Sequence, residues 1–187
     1  MRLRSDSPKG VTLLELMVAA AIVAVLAGIS YPMFRRMAAD MRLKAAARRL
    51  YGDLQLAKIK AIEKSTSVSV IFDQPITEGA SATTYSYVVI EDKDNNCQCN
   101  SPDCGTSGDD IILGKTLISK EFRGITISEN TFPKNQDNLH ALRFNAKGFP
   151  KKGTDNGFAS GTVTLSNQYG TTAQVIVNSL GRIRLKL

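Results

Sequence analysis

From Val11 to Phe34 the chain is apolar except for Thr12, Glu15, Ser30 and Tyr31. As one helix, residues 11–34 rise about 36 Å, enough to cross a bilayer with some tilt. A carboxylate inside such a run is costly, up to roughly 2.5–3.5 kcal/mol at mid-membrane, so Glu15 calls for a partner. Cleavage after Gly10 would leave Glu15 one helical turn from a new, positively charged amino terminus. That amine, its own or a neighbouring subunit's, is a natural partner.

Beyond Phe34 the pattern changes twice. Leu43, Ala46, Ala47, Leu50, Leu54, Ala57, Ala61 and Ile62 recur at three- and four-residue spacings. That periodicity predicts an amphipathic helix over 35–64, continuing the first and packing one stripe on a globular domain. After Lys64 the chain is rich in β-branched residues. The runs 67–72, 85–90, 111–118, 124–128, 139–145, 161–166, 173–178 and 182–187 read as strands, separated by Gly, Asn, Asp and Pro. A long amino-terminal helix followed by seven or eight short strands predicts an α+β fold, with the end of the helix on an antiparallel β-sandwich or curled sheet.

Charge sharpens this division. The formal net charge of the 187 residues is +7. Residues 35–64 hold nine Lys and Arg against Asp40, Asp53 and Glu63, whereas 65–187 hold twelve of each sign. A basic helix face is by default solvated, and the sharper reading is contact with anionic lipid or with acidic neighbours. An ordinary secretory signal is excluded by the length of the run, its Glu and the lack of a clean small-residue cleavage site. A plain single-span anchor satisfies the length but leaves Glu15 unexplained.

Met1–Gly10 with Arg2, Arg4 and Lys9, then Val11 and the apolar run with Glu15, resembles the class III signal of the type IV pilin superfamily. The resemblance implies a leader cut after Gly10 by a prepilin peptidase, N-methylation of Val11, and a helix that leaves the membrane for a filament core. Pro32 falls where pilins often carry a helix-kinking proline. Toward the other end, Arg143-Phe144-Asn145-Ala146-Lys147-Gly148-Phe149, Gly161–Leu165 and Gln174–Arg184 resemble the end of the GspH/FimT family of type II secretion minor pseudopilins and type IV minor pilins. The implied organisation is a leader at 1–10, a transmembrane helix at 11–34, an amphipathic helix at 35–64 and a periplasmic β-rich domain at 65–187.

The implied role is a non-catalytic structural subunit near a filament tip, serving protein secretion or pilus biogenesis. Its partners are the prepilin peptidase, other pilins or pseudopilins, the inner-membrane assembly platform and membrane lipid. Glu15 and Pro32 are the expected assembly residues, and no cofactor is expected. No nucleophile elbow, P-loop, dinucleotide fingerprint or paired-histidine motif is found in the sequence, and the sole His140 reads as a core or surface histidine.

Two further features bear on chemistry. Arg182, Arg184 and Lys186 alternate with Ile183, Leu185 and Leu187, so a strand there sets three cations on one face. The plainer reading is a solvated edge strand protected from aggregation. The sharper one is DNA contact, since Gly181-Arg182-Ile183-Arg184 resembles an element of DNA-binding minor pilins, with Lys147, Lys151 and Lys152 widening the patch if their loop folds alongside. Cys97, Cys99 and Cys104 imply one local disulfide in an oxidising compartment, with one cysteine left over. Asp92, Asp94, Asn96 and Asp103 match calcium-loop spacing only in part, with Cys97 in place of the turn glycine. A solvated insertion loop is the preferred reading there and no metal is expected.

Overall fold

The computed structural model describes residues 10–78, 81–99, 111–153, 155 and 157–187. The chain divides between Ala38 and Ala39 into two units. Helix α1 spans Leu13–Glu63 and is continuous through Pro32. Pro32 has no N–H to give the carbonyl of Gly28, one turn earlier. Ser30 nearby turns its hydroxyl back onto Leu26 O at 2.9 Å. An 18-residue window of this helix has a mean hydropathy of 2.4 with none of the window buried, so it is long and apolar enough to cross a membrane.

In the second unit, α1 buries Ala39, Leu43, Ala46, Ala47, Leu50, Leu54, Ala57 and Ala61. This is the expected stripe with two corrections: it begins a turn earlier, at Ala39, and Ile62 is 48% exposed. Alanines dominate the stripe, which lets the sheets approach the helix closely. The helix ends on Ser65 at φ 52, with Ser65 N–H on Ile62 O and Thr66 N–H on Ala61 O. That pair of bonds is the Schellman closure, here built on serine instead of glycine.

Among the described residues nine strands follow: β1 (Ser67–Glu78), β2 (Ser81–Asp92), β3 (Ile111–Thr116), β4 (Ile125–Asn130), β5 (Ala141–Phe144), β6 (Pro150–Lys151), β7 (Gly161–Asn167), β8 (Thr172–Val177) and β9 (Ile183–Lys186). A short helix α2, Ile118–Glu121, interrupts the region where the sequence predicts strand up to 118. All pairings are antiparallel, in two sheets of order β3-β2-β1-β5-β6 and β4-β7-β8-β9. The α+β expectation holds. One core joins the α1 stripe to Val68, Val70, Phe72, Tyr87 and Phe144 of the first sheet and to Val163, Leu165, Val175 and Ile183 of the second. Tyr87 Oη donates to Asp53 Oδ2 at 2.5 Å, and Arg49 Nε meets the same oxygen at 3.1 Å, tying helix to sheet through one carboxylate.

A second cluster, Ile71, Ile76, Val88, Ile90, Cys97 and Ala141, covers the other face of the first sheet. The centre of that sheet is therefore buried on both faces. This is why Ser67–Phe72 is buried without alternation.

Candidate functional site

Three regions carry the residues singled out above. In the amino-terminal unit, Thr12 precedes the first helical residue, and its Oγ1 accepts the backbone N–H of Glu15 at 3.2 Å. Thr12 and Glu15 stand in the S/T-x-x-E relation of a capping box. The carboxylate also sits in the first turn, where the helix dipole favours negative charge. Glu15 thus has a local structural use beside the one the sequence suggested. Gly10 and Val11 precede the helix and are exposed.

The second region is the segment after β2. Asp92 is fully buried. Its Oδ2 accepts from the Ser69 hydroxyl and from Cys97 N–H at 2.9 Å, and its Oδ1 from Asn96 N–H at 3.1 Å. Ser69 Oγ lies 3.2 Å from Cys97 Sγ, and Asn135 Nδ2 donates to Cys97 O at 2.7 Å. Arg143, 2% exposed and paired in register with Ser69, donates from Nη1 to Asn95 O. Burial holds the Asp92 carboxyl above the ordinary carboxylate range, with Arg143 pulling the other way. Burial likewise pushes the Cys97 thiol up to about 12.

Asp92 and Cys97 are therefore folded into the molecule, while Lys93, Asp94 and Asn95 between them are exposed. Asp92, first of the calcium-spaced residues, spends its oxygens on internal donors. Cys97 is free and buried, and Cys99 is disulfide-bonded. Cys104 and Asp103 lie outside the described residues. Among those described, no cluster of three His, Cys, Asp or Glu forms.

The third region was invisible to a reading by strand pattern alone. Four turns share one construction. In Asn145–Gly148, Asn167–Gly170 and Asn178–Gly181 the Asn carbonyl accepts the Gly N–H at 2.7, 3.1 and 2.9 Å, and in Asn135–Asn138 it accepts the Asn138 N–H at 3.1 Å. In each, the Asn Oδ1 accepts the N–H of the residue after the turn, namely Phe149, Thr171, Arg182 and Leu139. The fourth residue is left-handed, at φ 76, 81 and 77 for Gly148, Gly170 and Gly181 and φ 63 for Asn138. Asn at the start and Gly at the αL position are what such three-residue hairpin loops require. The repeated Asn-x-x-Gly was the available signal.

Two of these turns stack. A side chain at Gly181 would meet Gly148 O at 2.7 Å and Pro150 Cδ at 3.2 Å, while one at Gly148 would meet Ile62 Cδ1 at 2.9 Å. Lys58 Nζ closes the stack with a 2.9 Å bond to Gly181 O. The Lys147–Lys152 loop does fold beside the start of β9. Lys151 lies over the Phe158 ring at 4.1 Å, and Lys152 is 3.8 Å from Asp155. Arg182, Arg184 and Lys186 are exposed while Ile183 is buried, as alternation requires; Leu187 is 54% exposed at the chain end. β9 is an edge strand. His140 Nδ1 is 2.6 Å from Phe132 O, a structural contact of a half-buried ring.

The family model described as type II transport protein GspH matches residues 46–181, and that of the prokaryotic N-terminal methylation motif matches residues 7–31. Among solved structures, the chain is similar to the minor pseudopilin EpsH of the Vibrio cholerae type 2 secretion system. Identity is 14% over 77% of this chain and 95% of that one, with a TM-score of 0.46. It is also similar to the type IV minor pilin FimU of Pseudomonas aeruginosa, at 16% identity over 78% of this chain and 93% of that one, with a TM-score of 0.42. Among curated proteins none matches.

Proposed function

Because the chain belongs to the family of type II transport protein GspH, a family of non-catalytic pseudopilin and pilin subunits, we propose that it is a precursor cut after Gly10 by a prepilin peptidase and drafted into a filament. The observation that carries this reading is one chain holding both a membrane-length apolar helix behind the methylation motif and the family's β-domain. The single apolar helix is consistent with a membrane anchor. The amino-terminal unit is read as stored in the inner membrane, with the β-domain on the periplasmic side. Other pilins or pseudopilins and the assembly platform are its partners.

In the filament, Glu15 neutralises a neighbour's terminal amine. A carboxylate that no water reaches gains most from an opposite charge, so a misplaced neighbour leaves two uncompensated ions in hydrocarbon. That penalty selects the register of insertion. The capping role of Glu15 must be separated from this one, and Glu15→Gln does so, because Gln also completes a capping box. Glu15→Gln and a variant with Gly10 blocked should both accumulate in membranes and stay out of filaments. Wild-type amounts of either variant in sheared filaments would overturn the mechanism.

DNA capture through Arg182, Arg184 and Lys186 gains no support from the family or the fold. Their place on the edge strand β9 is accounted for by protection of an open sheet edge.

A further inference from the structure

Beside the stacked turns, four large apolar side chains are exposed: Leu180 at 71%, Phe158 at 56%, Ile62 at 48% and Phe149 at 38%. They come from segments that touch one another. Gly148 lies against Ile62, Gly181 against Gly148 and Pro150, and the Phe149 and Phe158 rings pair edge to face at 6.2 Å. Lys147, Lys151 and Arg182 flank them in sequence. From Leu139 to the carboxyl end seven basic residues stand against one acid, Asp155. The Asn145 turn also lines a pocket of about 480 Å³, together with Ser65, Thr66, Ser67, Asn95, Lys93 and Lys147.

Resting on the filament reading above, we propose that this end of the β-domain docks a different subunit of the filament, through a face that is apolar at its centre and acidic at its rim. Exposed apolar residues at turn tips gain free energy only when covered, at about 25 cal/mol per Å² buried. The cations around them select a carboxylate-rich partner and repel a basic one. The hydroxyl and amide lining of the pocket offers hydrogen bonds to an inserted Asp or Glu side chain, with two ammonium groups to balance its charge.

A second copy of this chain does not fit. A two-fold contact through this patch would set Lys147 and Arg182 of one copy against the same cations of the other. Nucleic acid fits poorly as well. Base stacking needs open ring faces, but the two Phe rings engage each other and Lys151 lies over Phe158.

The test places a photo-crosslinking residue at 180 in the full chain, expressed with its own filament machinery, with position 129 on the opposite edge of the second sheet as control. The expected result is a crosslink from 180, absent from 129, to another filament subunit at a peptide rich in Asp and Glu. Its yield should fall at least tenfold in Lys147→Glu with Arg182→Glu, with accumulation of the protein unchanged. Crosslinks to lipid, to nucleic acid or to the chain itself would overturn the proposal, as would none at all. So would wild-type assembly by an equally abundant Leu180→Asp variant. The filament reading is judged apart, by Glu15→Gln, so its failure and this one are distinguishable.

Discussion

Asp92 shows what one residue does here that its neighbours in sequence do not announce. Its carboxyl is buried among Ser69, Asn96 and Cys97 N–H, near Arg143, and desolvation holds its proton to higher pH than in the unfolded chain. The native state therefore binds more protons than the unfolded state between the two pKa values. The Asp92 contribution to stability is full below the unfolded carboxylate range and falls as pH rises through the raised native value. Asp92→Asn removes the titration. The thermal midpoint of wild type minus that of this variant should be highest at acid pH and fall as pH rises above the unfolded carboxylate range, measured by calorimetry on the detergent-solubilised chain. A constant gap would mean that the carboxyl does not titrate in that range. None of this was legible locally: Ser69, Asp92 and Arg143 lie on three different strands, and only their pairing registers bring them together. Glu15 was legible because a lone carboxylate in an apolar run is anomalous wherever it occurs. Its bond to Thr12 was equally available in the Thr-x-x-Glu spacing.

At the scale of elements, periodicity succeeded where one face is buried and failed where two are. The α1 stripe emerged residue by residue except Ala39 and Ile62 at its two ends, since helix burial has a 3.6-residue period. The strands emerged from β-branched content, but β6, two residues long, and α2, four residues, are shorter than any pattern window. The turns were hidden in plain text as Asn-x-x-Gly. Their two kinds of glycine predict different costs. Gly170 has open space about it, so Gly170→Ala loses only the left-handed preference, about 1 kcal/mol. Gly181 is left-handed and also meets Gly148 O at 2.7 Å, so Gly181→Ala should cost about 2–3 kcal/mol. Thermal melts of the two variants should rank in that order. Equal losses would show that the stacked turns yield freely.

For the whole molecule, the fold class and the family were readable at the two ends of the chain, and the middle was not. The ends carry local signals, a methylation motif with its apolar helix and strand-turn text near the carboxyl terminus. Between them, Cys97 takes its meaning from the sheet face that it packs on, and Asp92 from its bond to Ser69. An odd number of cysteines leaves one that is free, paired between subunits or engaged otherwise. Here the spare thiol of Cys97 is fully buried, and its pKa is pushed up to about 12. A thiol so placed holds almost no thiolate and meets no oxidant. Filaments containing this subunit should therefore owe no cohesion to Cys97. They should shear into the same lengths with or without a reducing agent, and a maleimide should label Cys97 only after the β-domain is unfolded. Labelling of the native subunit, or filaments that fall apart when Cys97→Ser is introduced, would contradict this. The odd cysteine belongs to the interior of one molecule, and assembly is left to contacts that can be made and unmade.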